Sequence, residues 1–452
     1  MMSLLWRIHK RKGSRVKKAL AALLTCFMAT TILATSVSAA TDVMDPVQNP
    51  TTNPLWDVGT TRNKIVVISD LHLGVNDRIS ENKKNIPFLI DFINRVGQTK
   101  SIRELVIAGD FLDEWILPLN YPVSTDSQEY YKQCIANNKG VIDALKGLSN
   151  TGVKLVYVLG NHDMTLLEET LKQAMPNINF VGKDGVGVYI TGDNNEIAIE
   201  HGHRYDVFSA PDTVDNKSLT SNPLLPPGYF YARLGTSWFL QGMPIINKMI
   251  PELPLAPSKT NVDQYGAYIY NSFWYSSMNS FTNIERFDDK VFNLKNYGFD
   301  TKLSEADLYP VLQSDGTITT PALFKDFQRS WEQIQTNNGV RVHSSFIDAA
   351  SALLNSDISY FAKQESIQYD GQGIQTVVFG HTHVPMAQTF SNGISVVNDG
   401  SWVDPSAVNR DLTRTFAVIT TGKTDSYDLY QYKDDGTLSS LTAQLSLPAV
   451  NY

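Results

Sequence analysis

The chain is nearly free of cysteine, with Cys26 and Cys134 the only two in 452 residues. Cys26 falls in an N-terminal leader, so a processed chain would keep only Cys134 and could form no intramolecular disulfide. That rules out a disulfide-stapled scaffold and a thiolate zinc knuckle, and at this length a large core makes staples unnecessary. Basic charge is also short. Lys and Arg total 38 against 46 Asp and Glu, and seven of the basic residues lie in the first 18 positions. Without residues 1–40 the balance is 31 to 46, a net of −15. An acidic chain with no basic stripe is not built to track a nucleic-acid backbone, so no nucleic-acid polymer is expected as partner. Internal repeats and low-complexity runs are absent too, which argues against a solenoid or a disordered array.

The N-terminus is the exception to this acidity. Arg7, Lys10, Arg11, Lys12, Arg15, Lys17 and Lys18 precede an apolar stretch from Ala19 to about Val37, followed by Ser38-Ala39-Ala40. A basic region, an apolar region and a small-residue site are the layout of a secretory signal peptide. Residues 1–40 are expected to be removed after Ala39 or Ala40, leaving a secreted or extracytoplasmic protein. The rival is an uncleaved anchor giving membrane contact, because the stretch approaches the roughly 20 residues that span a bilayer. Leu23-Leu24-Thr25-Cys26 fits a lipoprotein box poorly, since Thr precedes Cys and the apolar run continues past it.

Apolar runs that end in polar residues dominate the rest. They read KIVVIS-Asp70-Leu71-His72, ELVIAG-Asp110, KLVYVLG-Asn161-His162, EIAIE-His201 and TVVFG-His381-Thr382-His383, then ISVVND. Strands of an α/β sheet deliver ligands beyond their carboxyl ends. Oxygen and imidazole donors without thiolate suit Mn, Fe, Zn or a similar divalent ion. In extended chain, residues i and i+2 share a side. Asp70 with His72, and His381 with His383, could each grip one ion. Asp110 has two carboxylate oxygens and could bridge; Asn161 offers a carbonyl oxygen and His201 an imidazole. Seven side chains could hold two ions roughly 3.5–4 Å apart, as in two-metal hydrolases.

Five motifs, Asp70-x-His72, Gly109-Asp110-x-x-Asp113, Gly160-Asn161-His162-Asp163, His201-Gly202-His203 and Gly380-His381-Thr382-His383, stand in the order of the calcineurin-like metallophosphoesterases, which this chain resembles over residues 64–204 and 374–403. The resemblance implies Asp70, His72 and His383 on one ion, Asn161, His201 and His381 on the other, and Asp110 as the bridge. It implies His162 as the catalytic histidine, oriented by Asp113. Asp113-Glu114-Trp115 departs from the Asp-Arg-Gly of the protein phosphatases. It is similar to the GDxxDxW of UDP-2,3-diacylglucosamine pyrophosphatases, as is Ser69-Asp70-Leu71-His72-Leu73-Gly74. The implied reaction is attack on a phosphodiester or pyrophosphate by a metal-bridging hydroxide, with His162 stabilising charge or protonating the leaving oxygen. The substrate class is a small phosphorylated molecule, lipid- or nucleotide-linked. An extracellular phosphomonoesterase of broad specificity is the competing enzyme, and a metal-binding protein without turnover is the non-enzymatic rival.

The expected architecture is a two-sheet α/β sandwich with a helical, aromatic-rich insertion. Residues 41–63 read as a polar linker, 64–204 and 374–452 as the two parts of the catalytic domain, and 205–373 as the insertion. Residues 86–96 and 128–148 have helical spacing, as do ALFKDFQRSWEQIQ and SSFIDAASALL. TFAVIT and YDLYQY read as strands. Both ends of the insertion start near the metal rim, so it is either a subdomain packed on itself or a cap that selects substrate. Arg233 is a candidate phosphate contact within it, and residues 224–256 a candidate for shallow membrane contact. His203 is expected beside the metals or facing substrate, Asp163 to hydrogen-bond nearby backbone, and His343 away from the site.

Overall fold

The structure is a computed structural model and describes residues 55–449, apart from 57–58, 76–77, 123, 125, 245–255, 279–284, 287, 320, 326 and 406–411. The expected leader, 1–40, and most of the expected linker lie outside the described residues. In chain order the elements are β1 (Lys64–Ile68), α1 (Ile86–Gln98), β2 (Ile102–Ala108), α2 (Glu129–Asn137), α3 (Lys139–Gly147), β3 (Lys154–Val158), α4 (Glu168–Ala174), β4 (Asn179–Val181), β5 (Val188–Thr191) and β6 (Ile197–Glu200). The insertion carries α5 (Pro227–Leu240), α6 (Val262–Met278), β7 (Val311–Leu312), β8 (Ile318–Thr319), α7 (Phe327–Asn337), α8 (Phe346–Leu354) and α9 (Ile358–Gln368). The chain then closes with β9 (Thr376–Phe379), β10 (Met386–Thr389), β11 (Ser395–Asn398), β12 (Thr415–Thr420), β13 (Ser426–Tyr432), β14 (Leu438–Ser440) and the short α10 (Thr442–Leu445).

Two sheets form the sandwich. One has the order β14-β13-β12-β1-β2-β3-β4, the other β10-β11-β9-β6-β5. The apolar runs are nearly continuous because their strands are covered on both faces. Alternate residues divide between layers. Ile65, Val67, Val106, Ala108, Val156 and Val158 meet Ile197, Ile199, Val378 and Val397 between the sheets. Val66, Ile68, Leu105, Ile107, Leu155 and Tyr157 turn outward to α1, α2 and α3. Helix α1 answers with Leu89, Phe92, Ile93 and Val96, one apolar stripe at i, i+3, i+4 and i+7.

Two local expectations change. Residues 128–148 make two helices, not one, because Asn138 leaves helical geometry (ψ 31°) and its side-chain amide bonds the carbonyls of Gly74 and Cys134, each at 2.8 Å. The end of the presumed linker is docked: Leu55 is buried, and Trp56 packs edge-on against Phe92 at 6.0 Å.

The insertion packs against the sandwich as well as on itself. Tyr229, Phe230, Leu234, Trp331, Phe346 and Phe361 share one apolar cluster with Ala198, Val377, Phe379 and Val396, the outward residues of the second sheet. It supplies the outer layer of that sheet, with α9 lying on β11. Within the segment considered for membrane contact, residues 227 and 229–239 are buried in the fold; 245–255 lie outside the described residues. Among the described residues no helix is long and apolar enough to cross a membrane.

Candidate metal centre

Parallel strands β1, β2 and β3 of one sheet, and parallel β6 and β9 of the other, end at a common rim. The first ligand after each strand follows it by one to three positions, and the rest of each motif by at most five. Backbone bonds lock these ends together: Asp70 N–H donates to the Gly109 carbonyl, His72 N–H to that of Asp110, Glu114 N–H to that of His162, and Gly380 N–H to that of His201. Asp163 bolts the second motif to the third by accepting from the N–H groups of Phe111, Leu112 and Gly160 at 2.7, 3.1 and 2.8 Å.

All seven predicted ligands come together there, in two groups that share Asp110. In the first, His383 Nε2 lies 2.9 Å from Asp70 Oδ1 and 3.2 Å from His72 Nε2, which is 3.5 Å from Asp110 Oδ2. In the second, His201 Nε2 lies 3.2 Å from Asp110 Oδ2 and 3.0 Å from Asn161 Oδ1, and His381 Nδ1 is 3.0 Å from that same Asn161 oxygen. His381 and His383 therefore face different groups, against the expectation that i and i+2 would share an ion. The strand ends at Phe379, and both histidines sit in left-handed backbone, φ 65° and 56°. The two-residue periodicity of extended chain does not apply there.

The remote nitrogens of His72, His201 and His381 each have a partner. His72 Nδ1 meets Asp113 Oδ2 at 3.1 Å, and His201 Nδ1 donates to the Ala108 carbonyl at 2.8 Å. His381 Nε2 donates to Asp206 Oδ2 at 2.9 Å. The inward nitrogens of these rings are then lone pairs, and they converge on carboxylate oxygens. Asp70 Oδ1 is fully buried and accepts no hydrogen bond. Lone pairs and carboxylates gathered this closely repel unless cations lie between them, so the donor set fits two divalent ions. The same field acts on protons. Burial lowers the affinity of His201 for a proton, but Asp110 and Asp70 outweigh it and raise its pKa to about 9. Burial opposes ionisation of Asp70 and Asp110, yet the surrounding histidines hold both below the usual carboxylate range.

His162 stands beside the ligands. Its N–H donates to Asp110 Oδ1 and its Nδ1 to Asp113 Oδ1, both at 2.8 Å, while Trp115 stacks on its ring (centroids 4.6 Å, 22°). Asp113 thus orients both His162 and His72. His203 is buried behind His201 and His381, with Nε2 on the Gly185 carbonyl at 2.8 Å; burial and those two histidines push its pKa well below the ordinary value. Arg233 lies apart from the cluster, bonded to Tyr229 and Pro118. His343 is remote, beside Thr336 and Glu332.

Sequence reasoning missed Asp206 and Asp399. Asp206 opens the insertion, and its other contacts hold it rigid: the Phe208 N–H at 2.8 Å and the Ser209 hydroxyl at 3.0 Å. Asp399 takes the Ser69 hydroxyl at 2.7 Å, and the same hydroxyl reaches Asp70. The signal for Asp399 was its place after the run ISVVN, where the other strands carry ligands; Asp206 carried none.

Residues 63–230 match the family model of the calcineurin-like phosphoesterases. Among solved structures, a dimetal phosphatase from Danio rerio is similar at 10% identity, with a TM-score of 0.32, over 84% of this chain and 96% of that one. A single-substitution variant of Vps29 from Entamoeba histolytica is similar at 11% identity, with a TM-score of 0.28, over 83% and 96%. Among curated proteins none matches this chain. The matched segment holds four of the five motifs, and the fifth, 150 residues beyond it, completes the ligand set. The chain is a metal-dependent phosphoesterase.

Proposed function

We propose that this phosphoesterase is exported and hydrolyses a phosphodiester or pyrophosphate in a small nucleotide- or lipid-linked molecule. The observation that carries the substrate class is the Asp113-Glu114-Trp115 segment, with the Trp115 ring laid flat on His162. A flat aromatic wall beside the proton-transferring group suits a leaving oxygen that carries a bulky organic substituent. A second observation agrees. Among the described residues the hydrogen-bond and ion-pair partners of the seven ligands include no Lys or Arg. That site charge fits a diester monoanion better than a monoester dianion.

Asp70, His72, His383 and Asp110 would hold one divalent ion, and Asp110, Asn161, His201 and His381 the other. Bound there, such ions neutralise phosphoryl oxygens and lower the pKa of water. The protein's own contribution is orientation. Asp113 fixes His162 with Nδ1 protonated, so that its Nε2 faces substrate and can carry a proton to the leaving oxygen. Export rests on the layout of residues 1–40.

The test uses residues 41–452, purified without chelator and supplied with Mn²⁺. Hydrolysis of bis-p-nitrophenyl phosphate and a nucleotide pyrophosphate is compared with that of p-nitrophenyl phosphate, with His162→Ala as control. Preferential cleavage of the diester or pyrophosphate, lost in the control, is the expected result. A strong monoester preference would make this a broad-specificity phosphomonoesterase. N-terminal sequencing of the chain recovered outside the cytoplasm decides export; an intact Met1 there would sink cleavage.

A further inference from the structure

Glu81 reaches the metal rim without being one of its ligands. Its Oε2 lies 3.5 Å from His72 Nδ1, the nitrogen that Asp113 Oδ2 also meets at 3.1 Å, and the His72 and His162 ring centroids are 4.5 Å apart. The surrounding backbone fixes it there. Asn82, next in the chain, donates from its buried amide to the Leu71 carbonyl at 2.8 Å. The Asp404 carboxylate accepts from the N–H groups of Lys83, Lys84 and Asn85 at 3.2, 2.9 and 3.0 Å, and the Asp404 N–H donates to the Glu81 carbonyl at 2.9 Å. Two residues earlier, Ile79 packs against the apolar cluster that contains Trp115 and Tyr229. The segment therefore runs between the rim and the insertion, with the Glu81 carboxylate against the histidines.

This carboxylate has no cation of its own. Among the described residues its one ion-pair contact is His72, whose Nδ1 is nearer to Asp113, and neither of its oxygens accepts a hydrogen bond. Its side chain is 14% exposed and its oxygens are not sealed from solvent, whereas the side chains of Asp70, Asp110 and Asp113 are 3% exposed or less. Placing a fourth carboxylate beside three others costs electrostatic energy, and like charges gathered in this way mark functional sites. Glu81 is the one of the four that meets solvent, and it does so next to the catalytic histidine. An uncompensated carboxylate repels each negative charge on a ligand and attracts each positive one. Resting on the proposed phosphoesterase reaction at His162, we propose that Glu81 is the charge-selecting residue of this site. Its field disfavours a phosphoryl dianion and favours a diester whose organic arm carries an ammonium group.

The test is a charge ladder of three esters that share one leaving group: p-nitrophenyl phosphate, bis-p-nitrophenyl phosphate and p-nitrophenyl phosphorylcholine. At about pH 8.5 the first is a dianion, the second a monoanion and the third a zwitterion without net charge. Partial burial, against the pull of His72, raises the pKa of Glu81 to about 7, so it too is ionised there. In the Mn²⁺-loaded chain at low ionic strength, Glu81→Gln should raise kcat/KM for the dianion relative to the monoanion, and lower that for the zwitterion, each by about three- to tenfold. Glu81→Asp, which keeps the charge, should restore most of the change. An equal loss on all three esters would reduce Glu81 to a structural role, and unchanged ratios would mean that substrate does not feel its charge; either result overturns the proposal. Elemental analysis confirms two metals per chain, and Glu81→Ala carries the test if the Gln variant fails to hold them. The ratios are read as changes on substitution, whichever ester the wild type prefers, so failure here and failure of the proposed diester preference are separate results.

Discussion

Asp113 serves two histidines at once, and its neighbours show how far single residues set the chemistry. His162→Ala should lower kcat by about 10²–10⁴, the usual worth of a positioned proton donor, while metal content stays the same. Asp113→Asn should lower kcat and also weaken metal binding, since it frees His72 as well as His162; kinetics with metal analysis on both variants separates the two roles. Asp206→Ala removes the acceptor that keeps Nδ1 of His381 as the inward atom, and groups of this kind are typically worth about 10–100-fold in metal affinity. Unchanged affinity in a metal titration would show that Asp206 only closes a turn. Glu114 adds a pH signature. Burial, against the help of Tyr131 and Thr165, raises its pKa from 4.5 to about 7. The native state then keeps the proton longer than the unfolded chain, so this group's contribution to stability falls as pH rises from 4.5 to 7 and is level above. At about 1.4 kcal/mol per unit the loss is on the order of 3 kcal/mol. The unfolding free energy of the wild type relative to Glu114→Gln should fall by that amount across the window; a flat difference would mean that Glu114 ionises normally.

At the level of elements, the strands end before the ligands begin. Asp70, His72, Asp110, His381 and His383 all have positive φ, between 43° and 65°. Left-handed backbone costs a non-glycine residue roughly 1–2 kcal/mol, and such conformations gather at functional sites where the surroundings enforce them. Glycines make the enforcement possible. A Cβ on Gly160 would stand 2.2 Å from the Asp110 amide nitrogen and carboxylate, and one on Gly109 (φ 90°) would stand 2.5 Å from the His201 ring. Gly160→Ala should therefore displace the shared carboxylate and abolish stoichiometric metal, as read by elemental analysis. Gly147, at the end of α3 with helical φ and open space around it, is the contrast. Gly147→Ala should keep both metals and stabilise by about 0.5–1 kcal/mol.

Across the whole molecule, the insertion is a structural layer before it is anything else. It covers Val377, Phe379 and Val396, and Tyr369 donates to the buried Glu200 at the end of β6 at 2.6 Å. Replacing residues 205–373 by a short linker should expose the outer face of the second sheet and yield aggregated protein without near-ultraviolet circular dichroism. A soluble, metal-binding remainder would show that the sandwich folds without this layer. Because Asp206 lies in the first turn of the insertion, the layer and the metal rim are fixed to one another.

The sequence by itself determined the strands and the ligand types. Apolar runs such as KIVVI and TVVF have little choice but a doubly covered strand, and Asp, Asn and His at their ends name hard-donor chemistry. The resemblance to the calcineurin-like metallophosphoesterases implied the division of ligands between two ions, whereas the i, i+2 spacing alone paired His381 with His383. Only the tertiary structure decided which side chains act through others. Asp206 on His381, Asp399 through Ser69 on Asp70, and the second bond of Asp113 all join segments remote in the chain, and no spacing rule encodes a contact made by folding. The same holds for the insertion, whose aromatic residues looked alike whether they cap a site, meet a membrane or cover a sheet. Apolar side chains specify burial but not against what, and that was settled by the open face of the second sheet.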